Sequence, residues 1–100
     1  MEIRFKTKKL EKQYLNHKEA QKVYGQQVAK KYIMRVNTIK HAKCFDELFS
    51  IPSLDFHPLS GNRQGEYAVK LTGFYRLIIT NDGETFDIAK IEEVSKHYED

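Results

Sequence analysis

The stretch Tyr67-Ala-Val-Lys70-Leu-Thr-Gly-Phe74-Tyr-Arg76-Leu-Ile-Ile-Thr80 decides the fold class of this chain. β-Branched and aromatic residues crowd both sides of Thr72-Gly73, so the segment reads as two antiparallel strands, residues 67–71 and 74–80, joined in a hairpin. The turn leaves the register open. A strict two-residue loop sets Arg76 beside Val69, whereas a one-residue bulge sets it beside Ala68 or Lys70, on the more polar side. Asn81-Asp82-Gly83 is a stronger turn signal, leading into a last strand over residues 85–94. Its alternation falters around Lys90, where a bulge is expected.

Upstream of the hairpin the hydrophobic period lengthens from two residues to between three and four. Ile3 and Phe5 alternate with charge in residues 2–6, as in a half-buried first strand. A short helix over residues 7–15 follows, with Thr7 as its cap and Leu10 and Tyr14 on one face. Asn16-His17-Lys18-Glu19 has the spacing of a capping box, so a second helix is expected to begin there and run to His41. Along it Val28, Ala29, Tyr32, Ile33, Val36 and Ile39 form one stripe, flanked or opposed by Lys30, Lys31, Arg35 and Lys40. Gly25 is expected to kink or split this run. Phe45, Leu48 and Phe49 suggest one more helical turn, closed by Ile51-Pro52. The order predicts an α+β domain: an N-terminal strand, two or three helices, then an antiparallel β-meander with the helices packed on one face of the sheet. The other face is left open to a ligand.

One hundred residues suit a single domain, 1–100, with one modest core. The longest apolar runs, such as Leu77-Ile78-Ile79, fall far short of the ~20 residues of a membrane span. Met1-Glu2-Ile3-Arg4 lacks the apolar region of a signal peptide, so a cytoplasmic location and no membrane partner are expected. Cys44, the single cysteine, fits a reducing compartment and reads as a small buried residue. His41 and Cys44 have helical spacing, but no third or fourth ligand follows, and neither a metal nor another cofactor is expected. The net charge of +3 conceals an asymmetry: residues 1–50 carry twelve Lys/Arg against five Asp/Glu, and residues 51–100 carry five against nine. The basic helices of residues 8–43 are either a solvated face or a surface for a polyanion or an acidic partner.

Chemistry-bearing residues gather where the strand-like runs begin and end. His57 is held extended by Pro58, and Arg63 lies in the loop between Gly61 and Gly65. Arg76 sits among Phe74, Tyr75, Leu77 and Ile78, where a full charge needs a solvent-open face or a partner such as Glu92. Lys96, His97 and Tyr98 lie near the C-terminus. Imidazoles, guanidiniums, an ammonium and a phenol are tools for cutting RNA without a metal. A base takes the 2′-hydroxyl proton, cations hold the phosphorane's charge, and an acid protonates the leaving oxygen. An imidazole suits either the base or the cation. Tyr67 and Tyr75 have faces for stacking bases, although aromatic residues on a sheet more often belong to the core.

The strand-helix-helix start, Tyr24-Gly25 before a long basic helix, His57-x-Leu-x-Gly-x-Arg63, Gly65-x-Tyr67, Gly73-Phe-Tyr-Arg76 and Lys96-His97-Tyr98 together resemble the toxins of the RelE/ParE superfamily. Within it the chain looks most similar to the HigB branch, the plasmid maintenance system killer proteins, over nearly its whole length. The resemblance implies a RelE-like fold and the toxin of a type II toxin-antitoxin system. It further implies a ribosome-dependent mRNA endonuclease, an mRNA interferase, whose partners are a cognate helix-turn-helix (HigA-like) antitoxin, the ribosome and mRNA. By the same resemblance His57, Arg63 and Arg76 match the family's histidine, turn arginine and phosphate-facing strand arginine. Lys96-His97-Tyr98 stands where the family usually has Asp-Tyr-His, so similar residue types come in a shifted order. Ser60 stands where many relatives carry lysine. Losing one charged contact to a developing oxyanion costs ~10²-fold or more in rate unless another group, such as Lys96, supplies it. ParE-like relatives keep the fold, lack the catalytic set and inhibit DNA gyrase. A non-catalytic toxin, or a weakly active antitoxin-binding relative, is therefore the alternative.

Overall fold

A computed structural model describes residues 1–96. β1 (Glu2–Phe5) leads into α1 (Lys8–Leu15), capped by Thr7, whose hydroxyl accepts from the Leu10 N–H at 3.1 Å. Such a cap contributes about 1 kcal/mol. Asn16 caps α2 (His17–Tyr24), but not as the reciprocal box expected from the sequence. Its side chain accepts from the Lys18 N–H, while Glu19 turns to Lys12 and Lys22, at 3.2 and 2.9 Å. Two ammonium groups hold that carboxylate better than one backbone N–H would. Gly25, at φ 84°, separates α2 from α3 (Gln26–His41), so the long helix is split at the residue whose missing Cβ tolerates this backbone. A short α4 (Phe45–Leu48) and a 3₁₀ turn at Pro52–Leu54 complete the helical half.

β2 (His57–Pro58), β3 (Tyr67–Lys70), β4 (Tyr75–Asn81) and β5 (Ile88–Lys96) join β1 in a five-stranded sheet of order β1-β5-β4-β3-β2. β1 runs parallel to β5 and the other pairs are antiparallel. In the β3–β4 hairpin the Leu71 and Thr72 N–H groups both donate to the Tyr75 carbonyl, at 3.1 and 3.2 Å, and Arg76 pairs with Lys70. The strict two-residue loop is thus replaced by the bulged register. β5 begins at Ile88 rather than at residue 85, because the Asn81 side chain accepts from the N–H groups of both Gly83 and Ile88 and closes the intervening loop. The bulge expected near Lys90 falls at Glu92, where the pairing steps from Ile79–Ile91 to Ile78–Glu93.

The helices cover one face of this sheet. Val69, Leu77, Ile79, Ala89 and Ile91 share the core with Ala29, Tyr32, Val36 and Ile39 of α3, all with 0% exposure. Each large aliphatic residue so buried contributes roughly 1.5–3 kcal/mol. The Tyr32 hydroxyl donates to the Leu10 carbonyl at 2.7 Å and ties α3 to α1; its burial pushes the phenol's pKa up. Arg35 spans from α3 to the sheet, its Nε donating to the Lys70 carbonyl at 3.1 Å, while Lys30 and Lys40 are exposed. Tyr67 stacks on Phe56 at 5.2 Å between centroids and meets Phe45 edge-on, and Tyr75 packs against the core, so both are core residues rather than platforms for bases. Cys44 is exposed, contrary to the sequence reading. Ala42 and Phe45 on either side take the buried positions, which turns the thiol outward at the start of α4. No helix among the described residues is long and apolar enough to cross a membrane.

Candidate functional site

Alternation along the strands gives the uncovered face its own set of side chains. Across the ladder His57 pairs with Ala68 and Ala68 with Ile78, and one step away Lys70, Arg76 and Ser95 lie side by side. A cleft of about 610 Å³ opens over these rows. Leu59, Ala68 and Ile78 give it apolar walls, and Asp55, His57, Arg63, Arg76 and Ser95 give it polar ones. Three of the six residues expected to form a site, His57, Arg63 and Arg76, therefore share one cavity.

His57 is fixed by local geometry. The 3₁₀ turn at Pro52–Leu54 ends in Asp55, whose backbone is left-handed at φ 45° and ψ 47°. An aspartate accepts that conformation more readily than most residues. The Asp55 carbonyl oxygen lies 2.8 Å from His57 Nδ1. A carbonyl only accepts, so Nδ1 carries the proton, and in the neutral ring Nε2 is left as an unprotonated acceptor. Pro58 then locks the chain into the short β2 strand against β3.

Arg76 is half-buried, and its Nη1 donates to the Thr72 and Tyr75 carbonyls at 2.6 and 3.1 Å. The bulged hairpin brings those carbonyls within its reach. An ion pair with Glu92, weighed from the sequence, does not form. Glu92 accepts instead from the Thr80 hydroxyl at 2.8 Å and sits 3.7 Å from Lys6, while the register sets Arg76 opposite Ser95. Among the described residues no carboxylate meets Arg76, so Nε and Nη2 are left for a ligand.

Arg63, in contrast, is already committed to partners, although its side chain stays 40% exposed. Its Nε donates to Glu66 at 2.9 Å, and its Nη2 lies 2.7 Å from Glu66 and 2.9 Å from Glu93. The hydrogen bond to Glu66, reinforced by Glu93, pushes its pKa further above the ordinary arginine value. The residue clamps the turn Gly61–Arg63 to β5 while its guanidinium borders the cleft.

Lys96 is not brought to the cleft. The register pairs it with Tyr75, a residue of the core side, and a strand's successive side chains point to opposite faces, so Ser95 and not Lys96 stands beside Arg76. His97 and Tyr98 lie outside the described residues. Ser60 is exposed just ahead of the turn at 61–63 and does not line the cleft. The sequence reading missed Asp55 and Ser95. Asp55 had a signal, since it stands two residues before His57, whereas Ser95 follows only once the bulge at Glu92 is known. His41 Nδ1 is engaged with the Asn37 carbonyl at 2.8 Å, and among the described residues no three His, Cys, Asp or Glu side chains are grouped to hold a metal ion.

The cleft can therefore offer an oriented imidazole nitrogen, a guanidinium with unused donors and an apolar wall. That combination suits an anion with an apolar or planar portion, such as a nucleotide.

No family model matches the chain, and no curated protein sequence does. Solved structures do. A YoeB/ParE toxin from Agrobacterium tumefaciens is similar at a TM-score of 0.59 and 16% identity, with 98% of this chain and 100% of that one covered. YafQ from E. coli strain BL21(DE3) is similar at 0.56 and 19% identity, covering 95% and 91%. A chain of the YoeB-YefM complex from Staphylococcus aureus is similar at 0.54 and 19% identity, covering 98% of each. At such identities the likeness establishes the fold alone: the α+β arrangement seen in these toxin structures.

Proposed function

We propose that this chain, as a single domain of residues 1–100, is the toxin of a type II toxin-antitoxin system. It cleaves mRNA on the ribosome, without a metal, in the cytoplasm. What carries this reading is the meeting of His57 and Arg76 over one open-face cleft, the first with Nε2 bare and the second with donors unused. The shared fold with structures described as toxins supports it, and the YoeB-YefM complex supports an antitoxin partner, taken here to be a helix-turn-helix protein of the HigA kind. The assignment to the HigB branch rests on the sequence motifs.

In this reaction the His57 Nε2 takes the 2′-hydroxyl proton, and the 2′-oxygen attacks the adjacent phosphorus. Arg76 meets the charge that grows on the non-bridging oxygens, and Arg63, already shared between two carboxylates, mainly positions the loop. The 5′-oxygen leaves with a proton supplied by His97 or Tyr98, giving a 2′,3′-cyclic phosphate and a 5′-hydroxyl. Induced expression is expected to arrest growth and to produce cuts within codons on translating ribosomes. Intact mRNA in arrested cells would overturn the reading.

One observation favours a second reading, a non-catalytic toxin of the ParE kind. Arg63 is neutralised by Glu66 and Glu93, and no lysine stands at position 60, so Arg76 is the one arginine lining the cleft that has no carboxylate partner among the described residues. The double substitution His57→Ala with Arg76→Ala separates the two readings. Toxicity that persists at equal protein level rules out catalysis from this cleft.

A further inference from the structure

Asp55 does two separable things at the cleft. Its backbone is anchored at both ends: the N–H donates to the Pro52 carbonyl at 3.2 Å, and the carbonyl accepts from His57 Nδ1 at 2.8 Å. Its carboxylate, by contrast, is not spent on the fold. Asp55 is the one acid lining the cleft, it is exposed, and among the described residues its side chain meets no donor. One free carboxylate and one guanidinium with unused donors, that of Arg76, thus share a space of about 610 Å³ walled by Leu59, Ala68 and Ile78. The carboxylate repels a wholly anionic ligand and the guanidinium a wholly cationic one. A free amino acid carries both signs but has no flat face to set against the three apolar walls. The ligand that satisfies every wall has an anion at one end, hydrogen-bond donors at the other and a planar portion between them.

We propose that the cleft selects a guanine nucleotide, with Arg76 on its phosphate and the Asp55 carboxylate on the Watson–Crick edge of its base. The inference rests on the reading of the cleft as an RNA-cleaving site, and it names the nucleotide on the 5′ side of the cut. Asp55 and His57 stand two residues apart, so one nucleotide presents its base to the first and its 2′-hydroxyl to the second. Guanine alone among the four bases has two adjacent donors on that edge, N1–H and the 2-amino group, which match the two oxygens of a carboxylate. Adenine and cytosine set a ring-nitrogen acceptor beside the amino group, and uracil has a carbonyl on each side of its N3–H. Each of these brings a lone pair against the carboxylate. A bidentate contact discriminates a base by about tenfold or more. Because the Asp55 backbone is already fixed, only two side-chain torsions remain to be ordered on binding, and little of that discrimination is lost. Asp55 reads the base and moves no proton.

The test is an NMR titration of the full chain with the 3′-monophosphates of guanosine, inosine, adenosine, cytidine and uridine, none of which can be cleaved. Guanosine 3′-monophosphate should bind about tenfold more tightly than the adenosine, cytidine and uridine compounds and should shift the signals of His57 and Arg76. Inosine keeps N1–H but lacks the 2-amino group, so its nucleotide should fall between them. Asparagine tolerates the left-handed backbone as aspartate does, so Asp55→Asn keeps the turn and the partner of His57, with signals remote from the cleft unmoved. That variant should lose the preference for guanosine and leave the adenosine, cytidine and uridine affinities within about twofold. Arg76→Ala should weaken all five nucleotides alike. If no nucleotide shifts the cleft signals, both this proposal and the reading of the cleft as an RNA site are overturned. Equal binding of all five that Arg76→Ala weakens would overturn guanine selection alone and leave that reading standing. So would a guanosine preference that survives Asp55→Asn, or inosine bound as tightly as guanosine.

Discussion

Leu77 and Arg76 are neighbours on β4, yet the first has no exposed surface and the second lines a cleft. On the covered face, strand residues meet helix residues through apolar contact, and position is set by close packing. On the open face, groups are held by named acceptors: Arg76 by two backbone carbonyls, Arg63 by two carboxylates, His57 by the carbonyl of Asp55. Packing tolerates small adjustments distributed over many atoms, whereas a hydrogen-bonded cation is lost or misplaced by one change. Substitutions on the two faces should therefore separate into those that unfold the chain and those that leave it folded and inactive.

The largest effect on stability is expected on the covered face. Leu77→Ala or Ile79→Ala removes a wholly buried side chain and should cost about 2–5 kcal/mol in urea unfolding. Ser95→Ala, on the open face, should cost less than about 0.5 kcal/mol. Comparable losses at the two positions would mean that the open face is structural.

Arg76→Ala is the complementary experiment. With the guanidinium gone, ribosome-dependent mRNA cleavage should fall ~10²–10³-fold, the scale on which removal of one oxyanion-stabilising donor is felt. The midpoint of thermal unfolding should move by only a few degrees, since the side chain is half-buried and its partners are carbonyls near the hairpin turn. A large drop in melting temperature with a proportionate drop in activity would return Arg76 to the structural side of the comparison.

Asp87 tests the seam where the β4–β5 loop meets α4. Its carboxylate accepts from the Phe45 N–H at 2.6 Å and from Asn81 Nδ2 at 2.9 Å, and the first of these, then the second, holds its pKa below the ordinary aspartate value. The unfolded chain therefore binds this proton more readily. The stabilisation is present above the unfolded pKa and is lost as the pH falls through the depressed folded one. In Asp87→Asn the melting temperature should be lower at neutral pH and should fall less steeply on acidification. An unchanged acid limb in thermal scans would remove Asp87 as its cause.

Covered and open faces differed in how far they were legible beforehand. The stripe from Val28 to Ile39 and the cap at Thr7 follow from side-chain period and local hydrogen bonding, and both stand in the structure. The split at Gly25 follows likewise from backbone freedom. The open face depends on register, which local pattern does not determine: one residue of bulge at the hairpin moves Arg76 from beside Val69 to beside Lys70. The residue types for the cleft were readable in His57, Arg63 and Arg76, but their partners were not. Glu66 and Glu93 reach Arg63 from a loop and from a distant strand, contacts that no spacing rule encodes. Cys44 was misread because Ala42 and Phe45 take the buried positions around it, a choice that the apolar character of its neighbours does not decide.

The smallest effect is expected at Lys96, and it bears most directly on how the two faces are told apart. From the sequence, Lys96 was a candidate to replace the lysine absent at Ser60. The register places it opposite Tyr75, whose ring packs against the core, so its side chain leaves the sheet on the side away from Arg76 and Ser95. Only a one-residue slip at the end of β5 would bring it round to the cleft, and that slip would carry Ser95 and Val94 to the wrong faces as well. Lys96→Ala should thus change cleavage by less than about twofold, while Arg76→Ala changes it ~10²-fold or more. Single-turnover cleavage by the two variants, compared at matched concentration on translating ribosomes, gives the ratio. A Lys96→Ala defect approaching that of Arg76→Ala would mean that β5 shifts register when substrate binds, and that the division between covered and open faces is not kept during cleavage.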